Sequence, residues 1–409
     1  MPRFTIIFGL LNFILFIVVE PYLYKTIKKV TKEKKYRSLI LTLYWSILAI
    51  SILSVVSLFF YYKKGYTSFD AYGNWMAAYF FANLSSKLFL LLLLLPIEIG
   101  TWITGLFRKN KSTSNRRYFL KKAALLTSLL PFSSFLYGTF KGRFQFTVFR
   151  KDIGFSDLPS SFDGFRIAHI SDVHTGSWDN IEAMQKGLAL LQAQQPDIIF
   201  FTGDLVNNIA EEATPYIELF KSLSAPYGKY AVMGNHDYGA HYRWATAEDR
   251  KQNILDVKAQ YERMGFRLLN NENIRLSKDG QQIALLGVEN WGKHPFPQVG
   301  DLNKAIQGLE NEDFKILLSH DPDHWEEHTL KHPQKVHLTL SGHTHGCQMG
   351  LDLSKFKVSP VQLRYKRWID LYQEKEQYLY VNRGFGYIGY PGRIGIWPEI
   401  GVLTLKKEV

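Results

Sequence analysis

Long apolar stretches in the first third of the chain constrain its fold more than any other feature. Phe4–Tyr24 is apolar apart from Asn12 and Glu20, and Ser38–Phe60 is a second such stretch. A third runs from Trp75 to Phe107, densest at Leu88–Leu95 and interrupted by Pro96 and Glu98. A fourth, Ala123–Phe140, is shorter and contains Pro131. Crossing a bilayer takes about 20 helical residues. Inside the bilayer each backbone polar group must be satisfied within the protein, which selects helices here. Residues 1–141 are therefore expected to form a transmembrane region of about four helices, at 4–24, 38–60, 75–107 and 123–140. A carboxylate at Glu98 is a functional candidate by position. With no evident partner in the sequence, its plainer role is to face a neighbouring helix or the interface.

Charge sets the expected topology. The chain carries a net +12, a balance that on its own suggests a nucleic-acid partner. Its distribution argues against one. Lys25, Lys28, Lys29, Lys32, Lys34, Lys35 and Arg37, with Glu33 among them, follow the first stretch. Arg108, Lys109, Lys111, Arg116, Arg117, Lys121 and Lys122 follow the third. These two clusters hold fourteen cations and one anion, so the rest of the chain is close to neutral. Basic loops stay cytoplasmic. Both clusters are then inside, the 61–74 loop is outside, and four crossings leave the C-terminal domain outside. If Ala123–Phe140 does not cross, that domain is cytoplasmic. Asn115-Arg116-Arg117-Tyr118-Phe119-Leu120-Lys121-Lys122 resembles a twin-arginine export signal, with Asn115 in place of Ser or Thr and at an internal position. It reads equally as an ordinary positive flank. The one cysteine, Cys347, excludes an internal disulfide.

From Gly142 the pattern changes to that of a soluble domain, 142–409. Arg143–Phe149 alternates and reads as a strand. Buried strands are expected at Phe165–Ile170, Asp197–Phe201, Tyr230–Met233, Ile283–Val288, Lys315–Leu318, Val336–Leu340, Tyr378–Val381 and Val402–Leu405. Helical patterns lie at Ile181–Gln194, Glu211–Leu223 and Asn253–Met264. The mixture indicates an α/β sandwich.

Five of these strands run straight into polar clusters. They are Asp172-Val173-His174, Gly203-Asp204, Gly234-Asn235-His236-Asp237, His320-Asp321 and Gly342-His343-Thr344-His345-Gly346. Ligands gather at the carboxyl ends of strands in α/β sheets. Any one of these residues has an ordinary structural use, such as an Asp capping a helix. All five together make a convergent set. Carboxylates, an amide and imidazoles without thiolates suit manganese, iron or zinc. The donors suffice for two ions, which can clamp a phosphoryl group and acidify water. Asp204 is the natural carboxylate to lie between them.

In this order the clusters resemble the calcineurin-like metallophosphoesterase superfamily, over roughly residues 145–409. The resemblance implies a four-layer α-β-β-α sandwich. It implies one divalent ion on Asp172, His174, Asp204 and His345, and a second on Asp204, Asn235, His320 and His343. It also implies that His236 contacts phosphate and protonates the leaving group, with Asp237 orienting it. Asn382-Arg383-Gly384-Phe385-Gly386 onward looks like the membrane-anchored bacterial branch. That branch includes twin-arginine-exported phosphodiesterases and relatives of UDP-2,3-diacylglucosamine pyrophosphatase. Cys347 departs from its usual glycine, which could crowd the site or make it oxidation-sensitive. His169, His294, His324, His328, His332 and His337 lack this context and read as structural or solvent-facing. Asn290, Trp291 and Trp368 read as packing residues sooner than as substrate contacts.

The expected function is a membrane-anchored dinuclear phosphoesterase acting on a phosphodiester or pyrophosphate bond of a lipid-linked or membrane-proximal substrate. Its partners would be the lipid bilayer and that phosphorylated substrate. Its location would be a bacterial cell membrane, with the catalytic domain extracytoplasmic. One alternative is a UDP-2,3-diacylglucosamine-type pyrophosphatase on the cytoplasmic face, which the charge pattern opposes. Others are a nucleotide phosphodiesterase and a membrane interaction protein with an inactive domain. Nothing in the sequence sets an oligomeric state.

Overall fold

A computed structural model describes residues 19–32, 35–63, 71–107, 115–353 and 356–408. Most of the first expected span (4–18) lies outside the described residues. So do Glu33, Lys34, Arg108, Lys109, Lys111 and residues 64–70 of the expected outer loop. The chain divides into two compact units. One ends at Tyr137 and the other runs from Gly138 to Val409.

The first unit is helical: α1 (Glu20–Val30), α2 (Arg37–Lys63), α3 (Ala71–Phe107), α4 (Asn115–Thr127) and α5 (Leu129–Phe140), whose last residues belong to the second unit. Among the described residues, three segments are long and apolar enough to cross a membrane: Arg37–Phe60, Tyr72–Leu106 and Asn115–Phe144. The last is 30 residues long because the helical segment takes in the Arg116–Arg117 pair. Glu98 is not the partnerless carboxylate that the sequence suggests. It accepts a hydrogen bond from Tyr22 Oη at 2.6 Å and is ion-paired with Lys121. Glu20 is paired in the same way, with Lys87 and with Tyr44 Oη at 2.8 Å. A carboxylate among apolar helices is costly unless paired, and both of these are.

The second unit is built on two six-stranded sheets. In chain order its main elements are β1 (Thr147–Phe155), β2 (Arg166–Ile170), α6 (Ile181–Gln192), β3 (Ile198–Phe201), α7 (Ile217–Lys221), β4 (Lys229–Ala231) and α8 (Ala247–Arg263). These are followed by β5 (Arg267–Leu268), β6 (Glu272–Lys278), β7 (Gln281–Gly287), α9 (Leu302–Ile306), β8 (Lys315–Leu318), α10 (Asp323–Glu327) and β9 (Leu338–Ser341). A two-stranded hairpin, β10 (Leu351–Leu353) and β11 (Phe356–Val358), precedes β12 (Asp370–Glu374), β13 (Gln377–Val381) and β14 (Glu399–Lys407). One sheet has the order β1-β14-β2-β3-β4-β5 and the other β12-β13-β9-β8-β7-β6.

Strand alternation builds the layers. Ile198 and Phe200 point between the sheets, where they meet Leu285, Ile316, Leu338 and Leu403. Ile199 and Phe201 point outward onto α6, α7 and α8 through Leu188, Phe220 and Tyr261. On the far side Leu286 and Leu317 pack on Leu302 and Ile306 of α9. The result is the four-layer α-β-β-α arrangement, with the main core between the sheets.

Two local expectations change, and some strands were not expected. The first strand begins at Thr147 and not at Arg143, because Gly142–Phe144 forms a tight turn. That turn buries the Arg143 guanidinium, which donates to Tyr387 Oη at 2.9 Å and to Asp179 at 2.8 Å. The single helix expected over Glu211–Leu223 splits into a 3-10 turn, Ala210–Tyr216, and the short α7. Pro215 lies within the turn and has no N–H to continue an α-helical ladder. The strands β5, β6 and β12 lack the apolar run that marks the inner strands.

Burial of imidazoles gives the fold an acid limit. Burial, and then the neighbouring His328, push His324 down to about 3. The folded protein therefore holds it neutral, whereas the unfolded chain protonates it below about 6.5. Its stabilising contribution is complete above that value and is lost as pH falls toward 3. At a pH one unit below the unfolded value the loss is about 1.4 kcal/mol. His324→Gln in the full-length chain should lose less melting temperature than the parent between neutral and mildly acidic pH. Equal losses would exclude His324 as a source of the acid sensitivity.

Candidate metal centre

Each expected site residue follows the carboxyl end of a strand. Asp172 and His174 follow β2, Asp204 follows β3, and Asn235 and His236 follow β4. His320 follows β8 and His343 and His345 follow β9. The first three strands run parallel in one sheet and the other two parallel in the other. Their ends meet at one edge of the sandwich. Asp172, His174, Asp204, Asn235, His320 and His345 are buried there, whereas His236 and His343 are partly exposed.

The donor atoms form two groups that could each hold an ion: Asp172, His174 and His345, and Asp204, His320 and His343. In the first, His174 Nε2 and His345 Nε2 are 3.0 Å apart, and His345 Nε2 is 3.3 Å from Asp172 Oδ1. In the second, His320 Nε2 is 3.2 Å from His343 Nδ1 and 3.2 Å from Asn235 Oδ1. Asp204 Oδ2 joins them, at 3.5 Å from His174 Nε2 and 3.3 Å from His320 Nε2.

The chemistry of this donor set fits divalent cations. His320 Nδ1 lies 2.6 Å from the Thr202 carbonyl, which it can reach only as a donor, so Nε2 is the nitrogen turned to the group. His343 Nε2 is 2.7 Å from Tyr365 Oη, leaving Nδ1 turned inward. Burial pushes His174 down and takes His343 down to about 3, so both are neutral, the form that binds metal. Burial works to raise Asp172 and Asp204, but the surrounding imidazoles hold both well below the usual carboxylate range. Burial works against a charged His320, yet the carboxylates of Asp204 and Asp172 carry it up to about 10. One buried imidazole thus stands in for cationic charge that the two aspartates attract.

Asp237 has a different job from the one expected. It makes no hydrogen bond to the His236 ring. Its carboxylate accepts from the backbone N–H groups of Asp204 (3.0 Å), Leu205 (2.9 Å), Val206 (3.3 Å) and Gly234 (2.9 Å), and from Tyr261 Oη (2.9 Å). It therefore fixes the loop that carries Asp204. The His236 ring is instead held by the Asn207 carbonyl, 2.8 Å from Nδ1, while the His236 backbone N–H donates to Asp204 Oδ1 at 2.9 Å. Sequence reasoning missed Asn207, Tyr365 and the buried Arg393, whose Nη2 lies 3.2 Å from His345 Nδ1. They sit outside the five clusters, and nothing in their local pattern marks them. Asn290 and Trp368 are buried packing residues, as their context suggested.

The backbone explains the glycines. Asp172, His174, Asp204, His343 and His345 all have φ between 50° and 69°, the left-handed region. Such turns aim side chains back across the strand ends at a cost in backbone energy. Close approach does the rest. A Cβ on Gly342 would stand 1.9 Å from Ser171 Oγ and 2.2 Å from Asp172 Oδ2. Cys347 lies in the same kind of conformation, at φ 57°, which accounts for a glycine preference there. Burial pushes its thiol up, which disfavours the thiolate and hence the oxidation expected of it.

Comparison with known proteins agrees with this geometry. Residues 165–347 match the model of the family described as calcineurin-like phosphoesterase. Residues 3–143 match one described as probable calcineurin-like phosphoesterase, transmembrane domain. An uncharacterized metallophosphoesterase of Bacillus subtilis, YkuE, is 32% identical over 253 residues, covering 61% of this chain and 82% of that protein. The chain belongs to the calcineurin-like phosphoesterase family. It is a membrane-associated metallophosphoesterase, and its family uses divalent metal ions. A zebrafish transmembrane protein with metallophosphoesterase domain is 28% identical over 296 residues, 70% of this chain but 62% of its own length. The UDP-2,3-diacylglucosamine pyrophosphatase LpxG of Chlamydia trachomatis is 28% identical over 279 residues, 56% of this chain and 81% of that protein.

Two substitutions test the backbone argument. Gly342→Ala should abolish metal retention, measured by elemental analysis of the purified chain, because its methyl group overlaps Asp172. Cys347→Gly should raise the melting temperature, by relief of up to about 1 kcal/mol of left-handed strain. An unchanged or lower midpoint would remove strain at Cys347 from the account.

Proposed function

We propose that this chain hydrolyses a phosphodiester or pyrophosphate bond of a lipid-linked or membrane-proximal substrate, using two divalent ions. The observation that carries the reading is Asp204. A single carboxylate oxygen lies within 3.5 Å of an imidazole nitrogen in each donor group, the arrangement of a shared ligand. Asp172, His174, Asp204 and His345 would hold one ion, and Asp204, Asn235, His320 and His343 the other. Such ions supply Lewis acidity toward a phosphoryl oxygen and toward water.

The chain's own residues do the rest. Tyr365 and Thr202 fix the orientation of two ligating imidazoles through their outer nitrogens. Asp237 holds the Asp204 loop rigid. His236 is partly exposed and keeps Nδ1–H on the Asn207 carbonyl, so Nε2 is the nitrogen left to face the leaving oxygen, to which the imidazolium form would give its Nε2 proton. Support for a lipid-linked substrate comes from the apolar N-terminal unit and from the chlamydial relatives named as UDP-2,3-diacylglucosamine pyrophosphatases. The charge distribution favours an extracytoplasmic catalytic domain, reached through four crossings.

The test is turnover by the full-length chain with manganese, on an aryl phosphodiester, an aryl monoester and lipid phosphates including UDP-2,3-diacylglucosamine. His343→Ala should lose bound metal and activity together. His236→Ala should keep its metal and lose roughly 10²–10⁴-fold in kcat, the usual worth of a general acid. Undiminished turnover by a metal-free His343→Ala protein would overturn the proposal.

A further inference from the structure

The hairpin β10–β11 begins just beyond the metal-ligand turn, His345–Gln348, and returns to it. Ser359, directly after β11, donates from Oγ to the Gly346 carbonyl at 2.8 Å. Its pairing puts Leu351 opposite Val358, Asp352 opposite Lys357 and Leu353 opposite Phe356. Paired residues share a face and neighbours alternate. One face is therefore Leu351, Leu353, Phe356 and Val358, and the other is Asp352 and Lys357.

The polar face is the one turned into the protein. Asp352 is ion-paired at 2.8 Å with the fully buried Arg383, and Lys357 is ion-paired with Asp370. The apolar face is turned out: Leu351, Leu353, Phe356 and Val358 are 51%, 60%, 59% and 41% exposed. Leu363, in the turn that follows, is 95% exposed. An antiparallel pair on a water-facing surface has the opposite polarity, apolar in and polar out. Arg364 and Lys366 flank the patch and are exposed.

We propose that this face of the hairpin, together with Leu363, docks into the hydrocarbon edge of a lipid bilayer, with Arg364 and Lys366 at the headgroup level. Three observations select lipid as the occupant. An apolar face with a basic flank is the composition of an interfacial segment. The last apolar helix, α5, ends at Phe140 and the first strand starts at Thr147, so few residues of chain separate an apolar helix from the sheet. The hairpin is continuous with the metal-ligand turn, so docking would bring the site to the depth of lipid-borne phosphates. The docking does not depend on the hydrolytic reading.

The experiment uses the full-length chain in nanodiscs, in a Cys347→Gly background. An environment-sensitive fluorophore is attached at Phe356→Cys and, as control, at Ser277→Cys on the edge strand β6. Spin-labelled lipids should quench the fluorophore at 356 and leave that at 277 bright. Equal brightness with and without labelled lipid at 356 would overturn the proposal. So would energy transfer between labelled chains without lipid quenching, which would make a second copy the occupant. A second arm compares substrates with Leu353→Glu/Phe356→Glu. KM for a phosphodiester embedded in vesicles should rise about tenfold, a loss of about 1.4 kcal/mol, while the water-soluble aryl diester is unaffected. An unchanged KM for the embedded substrate, in a variant still hydrolysing the soluble one, would overturn it. Absence of all hydrolysis would instead count against the phosphoesterase proposal, leaving the quenching to decide the docking.

Discussion

Buried carboxylates must have their lone pairs satisfied, and in this domain that requirement ties the site loops to one another. Asp172, after β2, accepts from the His343 N–H with both oxygens, at 3.0 and 2.9 Å. Asp204, after β3, accepts from the His236 N–H. Asp237, after β4, accepts from three successive amides of the Asp204 loop. The loops after β9, β4 and β3 thus supply the donors that another loop's carboxylate needs. Losing one of them leaves a buried charge short of partners, which costs several kcal/mol. The loops therefore hold their positions as a set, and the imidazoles are carried with them.

The same requirement explains the backbone. A strand that simply continued would carry its side chains past the edge of the sheet. Turning through the left-handed region at Asp172, His174, Asp204, His343 and His345 folds them back over it. Such strain persists only where surrounding contacts over-determine the conformation. The short Gly203, Gly234 and Gly342 approaches, and the shared carboxylates, provide those contacts.

Much of this was legible in the sequence and the rest was not, for physical reasons. The inner strands are continuous apolar runs because both faces are covered, so Ile198–Phe201 and Lys315–Leu318 could be located closely. The polar clusters at their ends stood out against those runs. Edge strands such as β6, with exposed Glu272 and Arg275, carry no such contrast. Tyr365, Asn207 and Arg393 act through tertiary contact alone, and a single sequence holds no record of tertiary contact. The resemblance makes Asp237 the residue that orients His236, but its oxygens make no direct hydrogen bond to that ring. Its oxygens are instead used by amides some thirty residues earlier in the chain. Glu98 does face neighbouring helices, the plainer of its two readings, but its partners Tyr22 and Lys121 could not be named because they come from other helices.

The segment between His343 and Arg383 joins these themes. It carries two donors of the centre, leaves for the surface as β10–β11, and returns to set Tyr365 against His343 at 2.7 Å. It then reaches Arg383, whose guanidinium bridges Asp352 of the hairpin and Glu399 of β14 at 2.8 and 2.7 Å. The buried Arg383 pairs fix the hairpin's polar face to the sheet, which leaves the apolar face no way to turn inward. Outward exposure of Leu353 and Phe356 is thus enforced by the interior electrostatics of the domain. The hairpin is anchored through Ser359 to Gly346, between the candidate donor His345 and Cys347, which shares its left-handed backbone. A force on the hairpin would act through the Ser359 hydrogen bond on the backbone of the turn that carries His345.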